Sequence, residues 1–322
     1  MDDSADPESF KLNVLSSEDD KRIQNRITNG IYLDSTLEAP MQVLIECFDG
    51  ELFGGMLITQ RTVLTARTGV IRCALAYTVY AGLVDSDPSP AANHTWLYSQ
   101  KPNQASFYIY PDSYDFGVLG FRNAFPTGDY CRPGCLYTAL DELGKVATVT
   151  GFGSIWGIVS NFPPWLAKIE LRIAELPEYS GRMVLKDETS TSIPYRAACI
   201  GDHGGPVFTT DSNGTHILVG ITLKYNGTNC GGLYYGSALS PDQDSYRNTE
   251  AVRISAYYSS IRGLMSPSDI RGYDLCPLPS SLSTEAVSAV ASSGSFGPST
   301  PATTYSGWVA PISPVMMQNG LL

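Results

Sequence analysis

The chain has 322 residues, 43% hydrophobic and 16% charged, enough to bury one large core or two modest ones. Lys and Arg number 21 against 32 Asp and Glu, a formal net charge of −11 that repels phosphate backbones and anionic lipid, so no nucleic-acid partner is expected. No run approaches the roughly 18 apolar residues of a membrane-spanning helix, and membrane insertion is not expected either.

Residues 1–26 are polar and acidic, without a period-2 or period-3.6 apolar pattern, and read as a flexible leader. The opening Met1-Asp2-Asp3-Ser4-Ala5-Asp6 lacks an apolar signal core. The leader ends near a dibasic pair, Lys21-Arg22, followed by Arg26-Ile27-Thr28-Asn29-Gly30. From Gln42 to Gly82 the pattern is one of short strands. Val43-Leu44-Ile45, Gly54-Gly55-Met56-Leu57-Ile58 and Thr62-Val63-Leu64-Thr65-Ala66 are apolar and β-branched, separated by the turn residues Asp49-Gly50 and Gln60-Arg61. No helical stripe of useful length precedes the C-terminal part, and many short strands at near-even spacing imply a sandwich or barrel.

Further along come Tyr114-Asp115-Phe116-Gly117-Val118-Leu119, then Thr150-Gly151-Phe152-Gly153, then the loop Cys199-Ile200-Gly201-Asp202-His203-Gly204-Gly205-Pro206. Its glycines stand where a side chain would obstruct a close approach of backbone. Leu218-Val219-Gly220-Ile221-Thr222 follows. In Val252–Ile261 the residues Val252, Ile254, Tyr257, Tyr258 and Ile261 fall near one face of a helix. Residues 266–322 are dominated by Ser, Thr, Pro, Gly and Ala, a low-complexity composition that cannot bury enough surface to order itself.

In this order and spacing, the segments from Ile27 to about Met265 resemble the trypsin-like (chymotrypsin-fold) serine proteases. The loop resembles that family's Gly-Asp-Ser-Gly-Gly-Pro, with His203 at the serine. Val63-Leu64-Thr65-Ala66-Arg67-Thr68-Gly69 resembles Val-Leu-Thr-Ala-Ala-His-Cys, with Thr68 at the histidine. The resemblance implies an all-β protein: two six-stranded Greek-key antiparallel β-barrels packed together over residues 27–265, a C-terminal helix, and a disordered tail over 266–322. It matches Asp115 to the orienting aspartate, the amides of Gly201 and His203 to the oxyanion hole, and Ala197, Leu223 and Tyr225 to the specificity pocket. It also implies an activation site at Arg26-Ile27, whose freed amine would pair with Asp202.

Two of the three catalytic groups are thereby replaced. In a serine protease the loss of nucleophile or base lowers kcat by about 10⁶-fold. A transposed pair, with Thr68 attacking and His203 as base, approaches the carbonyl from the wrong side of the oxyanion hole. His203 and Asp115 as metal ligands fall short of the three or four that zinc requires, so no metal or cofactor is expected. The expectation is an inactive homologue that binds protein partners such as proteases or protease inhibitors; the alternative is an active serine-type endopeptidase with an atypical site.

Seven cysteines and the sequons at Asn93, Asn213 and Asn226 favour an extracellular location. The resemblance implies a bridge from Cys199 to Cys230, while Phe53 and Gly69 stand where the family has a paired bridge, and Ala147 and Thr209 where it has another. Cys135 with Cys276 and Cys47 with Cys73 are the remaining expected pairs, leaving Cys131 free.

Overall fold

The structure, a computed structural model, describes residues 30–73, 77–84, 98–100, 107–109, 115–139, 141–153, 165–177, 181–189, 196–199, 201–223, 248–265 and 269. The expected leader and the tail lie outside these residues, apart from Asp269.

After a two-residue strand β1 (Ile31–Tyr32), the chain runs through β2 (Gln42–Cys47), β3 (Leu52–Thr59), β4 (Thr62–Ala66), the single-turn helix α1 (Arg67–Arg72), β5 (Tyr77–Ala81), β6 (Tyr98–Gln100), β7 (Phe107–Ile109) and β8 (Phe116–Gly120). Strands β2 to β8 form a seven-stranded antiparallel sheet in the order β6-β5-β2-β3-β4-β8-β7. The Asp49-Gly50 pair turns the β2–β3 hairpin as its chemistry dictates. Gly50 takes a φ of 84°, and the Asp49 carboxylate accepts the Glu51 N–H at 3.1 Å.

The second half contributes β9 (Cys135–Leu136), β10 (Val146–Gly151), β11 (Ala167–Glu175), β12 (Arg182–Lys186), β13 (Pro206–Thr210), β14 (His216–Thr222), β15 (Asn248–Arg253) and the helix α2 (Ile254–Leu264). Here β10, β13, β14, β15, β12 and β11 pair in sequence and β11 returns to β10, so six antiparallel strands close into a barrel. Strand β1 lies on the outer edge of β11, and β9 runs parallel to β14. Closure leaves these six strands no free edge.

The alternation of β11 shows why this half curls. Ile169, Leu171 and Ile173 are buried inside while Glu170 and Arg172 point to solvent, the period-2 signature of a strand with one wet face. By contrast β3 and β14 are buried on both faces. In β3, Phe53 and Leu57 pack into the core of the first sheet, whereas Met56 and Ile58 join a second core with Phe152, Phe208, Leu218 and Ile221 of the barrel. The alternate residues of β14, Ile217 and Val219, fill the barrel interior. Among the described residues three apolar cores result, one inside each sheet system and one in the seam between them.

Helix α2 starts later than its apolar pattern predicts. Val252 belongs to β15, where it pairs with Arg182 and Ile221, and the helix begins at Ile254. Two ladders bind Val252 from either side, and that outweighs its place on a helical face. Ile254 and Ile261 then bury the inner face of α2 in the seam core. Helix α1 has six residues, too few for a 3.6-residue stripe to register in the sequence.

Candidate active site

Three backbone contacts gather the positions matched to the catalytic groups at the seam. Ala66, the last residue of β4, pairs with Phe116 at the start of β8, and the Arg67 N–H donates to the Asp115 carbonyl at 3.0 Å. Thr68 is the next residue of α1, one position beyond that bond. From the barrel side, the Gly54 N–H donates to the His203 carbonyl at 2.9 Å. Gly204 takes a φ of 84°, and a Cβ on it would lie 2.2 Å from the Gly54 carbonyl oxygen and 2.3 Å from Thr65 Oγ1. Only glycine fits there, because the loop is pressed between the two strand systems. Thr65 Oγ1 itself donates to the Gly54 carbonyl at 2.6 Å, which steadies the strand end against which the loop rests.

The side chains at these positions are engaged in other ways. His203 is buried, and its imidazole stacks on the Phe53 ring with centroids 5.4 Å apart and planes 12° from parallel. Phe53 occupies the place of one expected missing cysteine, and Gly69 that of its partner. A Cβ on Gly69 would sit 2.6 Å from the Phe53 ring, so the phenyl group fills the space above the bare Gly69 α-carbon. Phe53, Gly69 and His203 are thus one packed group: a ring where the bridge would lie, a glycine that admits the ring, and an imidazole laid against it. Thr68 is exposed at the head of α1.

Asp115 is held from the opposite sheet system. Arg182, first residue of β12, donates to Asp115 Oδ2 from Nε at 2.9 Å and from Nη2 at 2.5 Å, and its Nη1 reaches Glu250 Oε2 at 3.3 Å. Nothing in the sequence marked Arg182. The pair is separated by 67 residues, and no spacing rule links them.

Asp202 is fully buried and accepts the Cys199 N–H at 2.7 Å and the Gly153 N–H at 2.8 Å. A Cβ on Gly151 would stand 2.0 Å from Asp202 Oδ1, so the turn Thr150-Gly151-Phe152-Gly153 needs its first glycine to clear the carboxylate and its second to offer an amide. Gly201, with a φ of 95°, turns the loop ahead of Asp202. Ala197 is buried where the pocket floor is expected, and Leu223 is half-buried against the seam core. Arg26, Ile27, Tyr225, Asn226, Cys230 and Asn93 lie outside the described residues. Of the remaining histidines, His94 also lies outside them. His216 packs edge-on against Phe208 at the start of β14, six residues and about 20 Å of strand from Thr222, which brackets the loop through Gly204 and Gly205. Burial and the nearby Arg132 charge push the His216 imidazole below its ordinary range.

Cys47 and Cys73 are joined, fastening the end of β2 to the residue after α1 with Cα atoms 5.0 Å apart. Cys131 is a buried free thiol that burial pushes up to about 12. Cys135 and Cys199 are both disulfide-bonded, to partners outside the described residues. Cys47, Asp49 and Glu51 approach one another closely, but the Cys47 sulfur belongs to the disulfide and is no thiolate ligand. Asn213 is exposed in a turn where Asp211 accepts its N–H at 2.9 Å. Among the described residues, two further buried carboxylates carry no mark in the sequence: Asp187, which accepts from Arg196 and Thr189, and Glu142, which accepts from Arg253 and Ser255.

A closed antiparallel barrel, a second antiparallel sheet, a C-terminal helix and a glycine loop clamped between the two strand systems define a trypsin-like β fold. The chain belongs to the trypsin family: the sequence model of that family, Trypsin, matches residues 30–239. It is 25% identical over 223 residues to mouse ovochymase-2, an alignment covering 64% of this chain and 36% of that protein, so the chain spans little over a third of that relative's length. Among solved structures it is similar to neuropsin, a serine protease expressed in the limbic system of mouse brain. That match has a TM-score of 0.57 and 21% identity, and covers 74% of this chain and 100% of neuropsin.

Proposed function

We propose that this chain is a catalytically inactive member of its family, secreted and retained as a binding module for proteins such as proteases or their inhibitors. The observation that carries the reading is the state of His203: an imidazole at the nucleophile position, buried and stacked on Phe53. An imidazole there offers no alkoxide, and the exposed threonine at position 68 accepts no proton at neutral pH. The disulfide between Cys47 and Cys73 and the exposed sequon at Asn213 support an oxidising, glycosylating compartment.

Incubating the intact chain with a fluorophosphonate probe and a mixed peptide library tests the reading. No covalent adduct and no cleavage are expected; labelling that maps to Thr68 or any other hydroxyl of the chain, or turnover of the library, overturns it.

A further inference from the structure

We infer that Arg182 is a second block on catalysis, independent of the substitutions at 68 and 203: it has captured the Asp115 carboxylate, so the matched orienting acid no longer serves the base position. The inference rests on the reading of Asp115 as that acid and of the site as silent, and it names the device that keeps the site silent.

The geometry is specific. An orienting carboxylate must offer an oxygen to the imidazole beside it and carry a negative charge that stabilises the imidazolium. Here one oxygen, Oδ2, accepts two hydrogen bonds from a single guanidinium, at 2.9 Å from Nε and 2.5 Å from Nη2. A guanidinium is permanently cationic, so at this distance it offsets the negative charge that the acid would otherwise present to an imidazole. Arg182 is anchored through its main chain. Its backbone is the first residue of β12 and pairs with Val252. The Gly181 carbonyl before it accepts the Arg253 N–H at 2.8 Å, and Tyr257 of α2 packs so tightly on Gly181 that a Cβ there would meet the phenol oxygen at 2.0 Å. Glu250, at 3.3 Å from Nη1, holds the far end of the guanidinium. The Asp115 and Arg182 side chains are both about two-fifths exposed, so the ion pair contributes little to stability and its main consequence is chemical. Arg182 is thus a positioning residue acting through Asp115.

The test places an imidazole at the exposed 68 position and asks what it senses. In Thr68→His, the ring introduced is titrated by NMR with and without Arg182→Gln, and again with Asp115→Asn added. If Arg182 occupies the carboxylate, Arg182→Gln raises the imidazole pKa and Asp115→Asn abolishes the rise, because the freed acid stabilises the charged ring. A rise that survives Asp115→Asn means Arg182 acts on the ring directly, and no rise means that it does not act at all; either overturns the inference. A second arm rebuilds the site as Thr68→His/His203→Ser. Adding Arg182→Gln is expected to raise kcat/KM for an activated ester at least tenfold and to move the acid limb of the pH profile upward; equal rates with an unmoved limb count against it. None of these variants bears on whether the natural chain is labelled by a fluorophosphonate, so failure here is separate from failure of the inactive reading.

Discussion

At the scale of single residues, Phe53, Gly69 and His203 form one packed unit. Phe53 and His203 are both buried and stacked, and Gly69 exists in a form only a glycine can take beneath the phenyl ring. Gly69→Ala therefore drives a methyl group into the ring and is expected to cost about 1–3 kcal/mol by overpacking. Phe53→Ala empties the same space and is expected to cost about 3–5 kcal/mol. Because both act on one volume, the double variant should be no less stable than Phe53→Ala alone. Urea melts of the three proteins check this, and additive losses would show that ring and glycine are not partners. The sequence displayed the paired substitution of Phe53 and Gly69 but not its repair, since ring packing is a contact and not a pattern.

At the scale of elements, a buried carboxylate ties the end of one strand to residues outside its ladder. Asp187 follows β12 and is buried. It accepts the Arg196 N–H at 2.8 Å, the Arg196 guanidinium at 3.1 Å and the Thr189 N–H at 3.0 Å, tying Arg196, just before Ala197, to the end of β12. Burial alone pushes this carboxyl upward. The donors from Arg196 and Thr189, with the Arg196 charge, outweigh that and bring it below its ordinary 3.8. A depressed carboxyl stabilises the fold above its unfolded value and ceases to do so as pH falls through its folded value. Asp187→Ala should therefore cost about 1–3 kcal/mol near pH 6, where donors lose their acceptor. The gap from the natural chain should narrow as pH falls below about 3.8, as urea melts across the acid range would show. A gap that stays constant into acid would contradict the assignment. Strands β2, β3 and β4 were legible from their apolar runs and turn pairs because hairpin chemistry is local. The start of α2 was not, because the ladders that claim Val252 come from residues 70 and 31 positions earlier in the chain, Arg182 and Ile221.

For the whole molecule, the Asp202 carboxylate joins the two halves of the site's support. It is buried between the amides of Cys199 and Gly153, the latter in the turn that follows β10. If the chain is cut after Arg26, the resemblance brings the new Ile27 amine to this acid. Asp202→Asn in the cleaved form is then expected to lower stability by about 1–3 kcal/mol. An unchanged melting curve would remove Asp202 from that role. The seam itself is secured by Gln42 and Thr150, whose side chains meet at 2.8 Å from opposite sheet systems.

The sequence by itself determined the strand-rich architecture, the order of the family segments, and the residues that stand at the positions matched to nucleophile, base and acid, since each is written in a local run of residue types. What those residues touch was decided only in three dimensions. His203 rests on a ring 150 positions away, and Asp115 answers to a guanidinium on the other sheet system. Contacts of that separation depend on how two strand systems meet, and no periodicity, turn or spacing along one chain records that meeting.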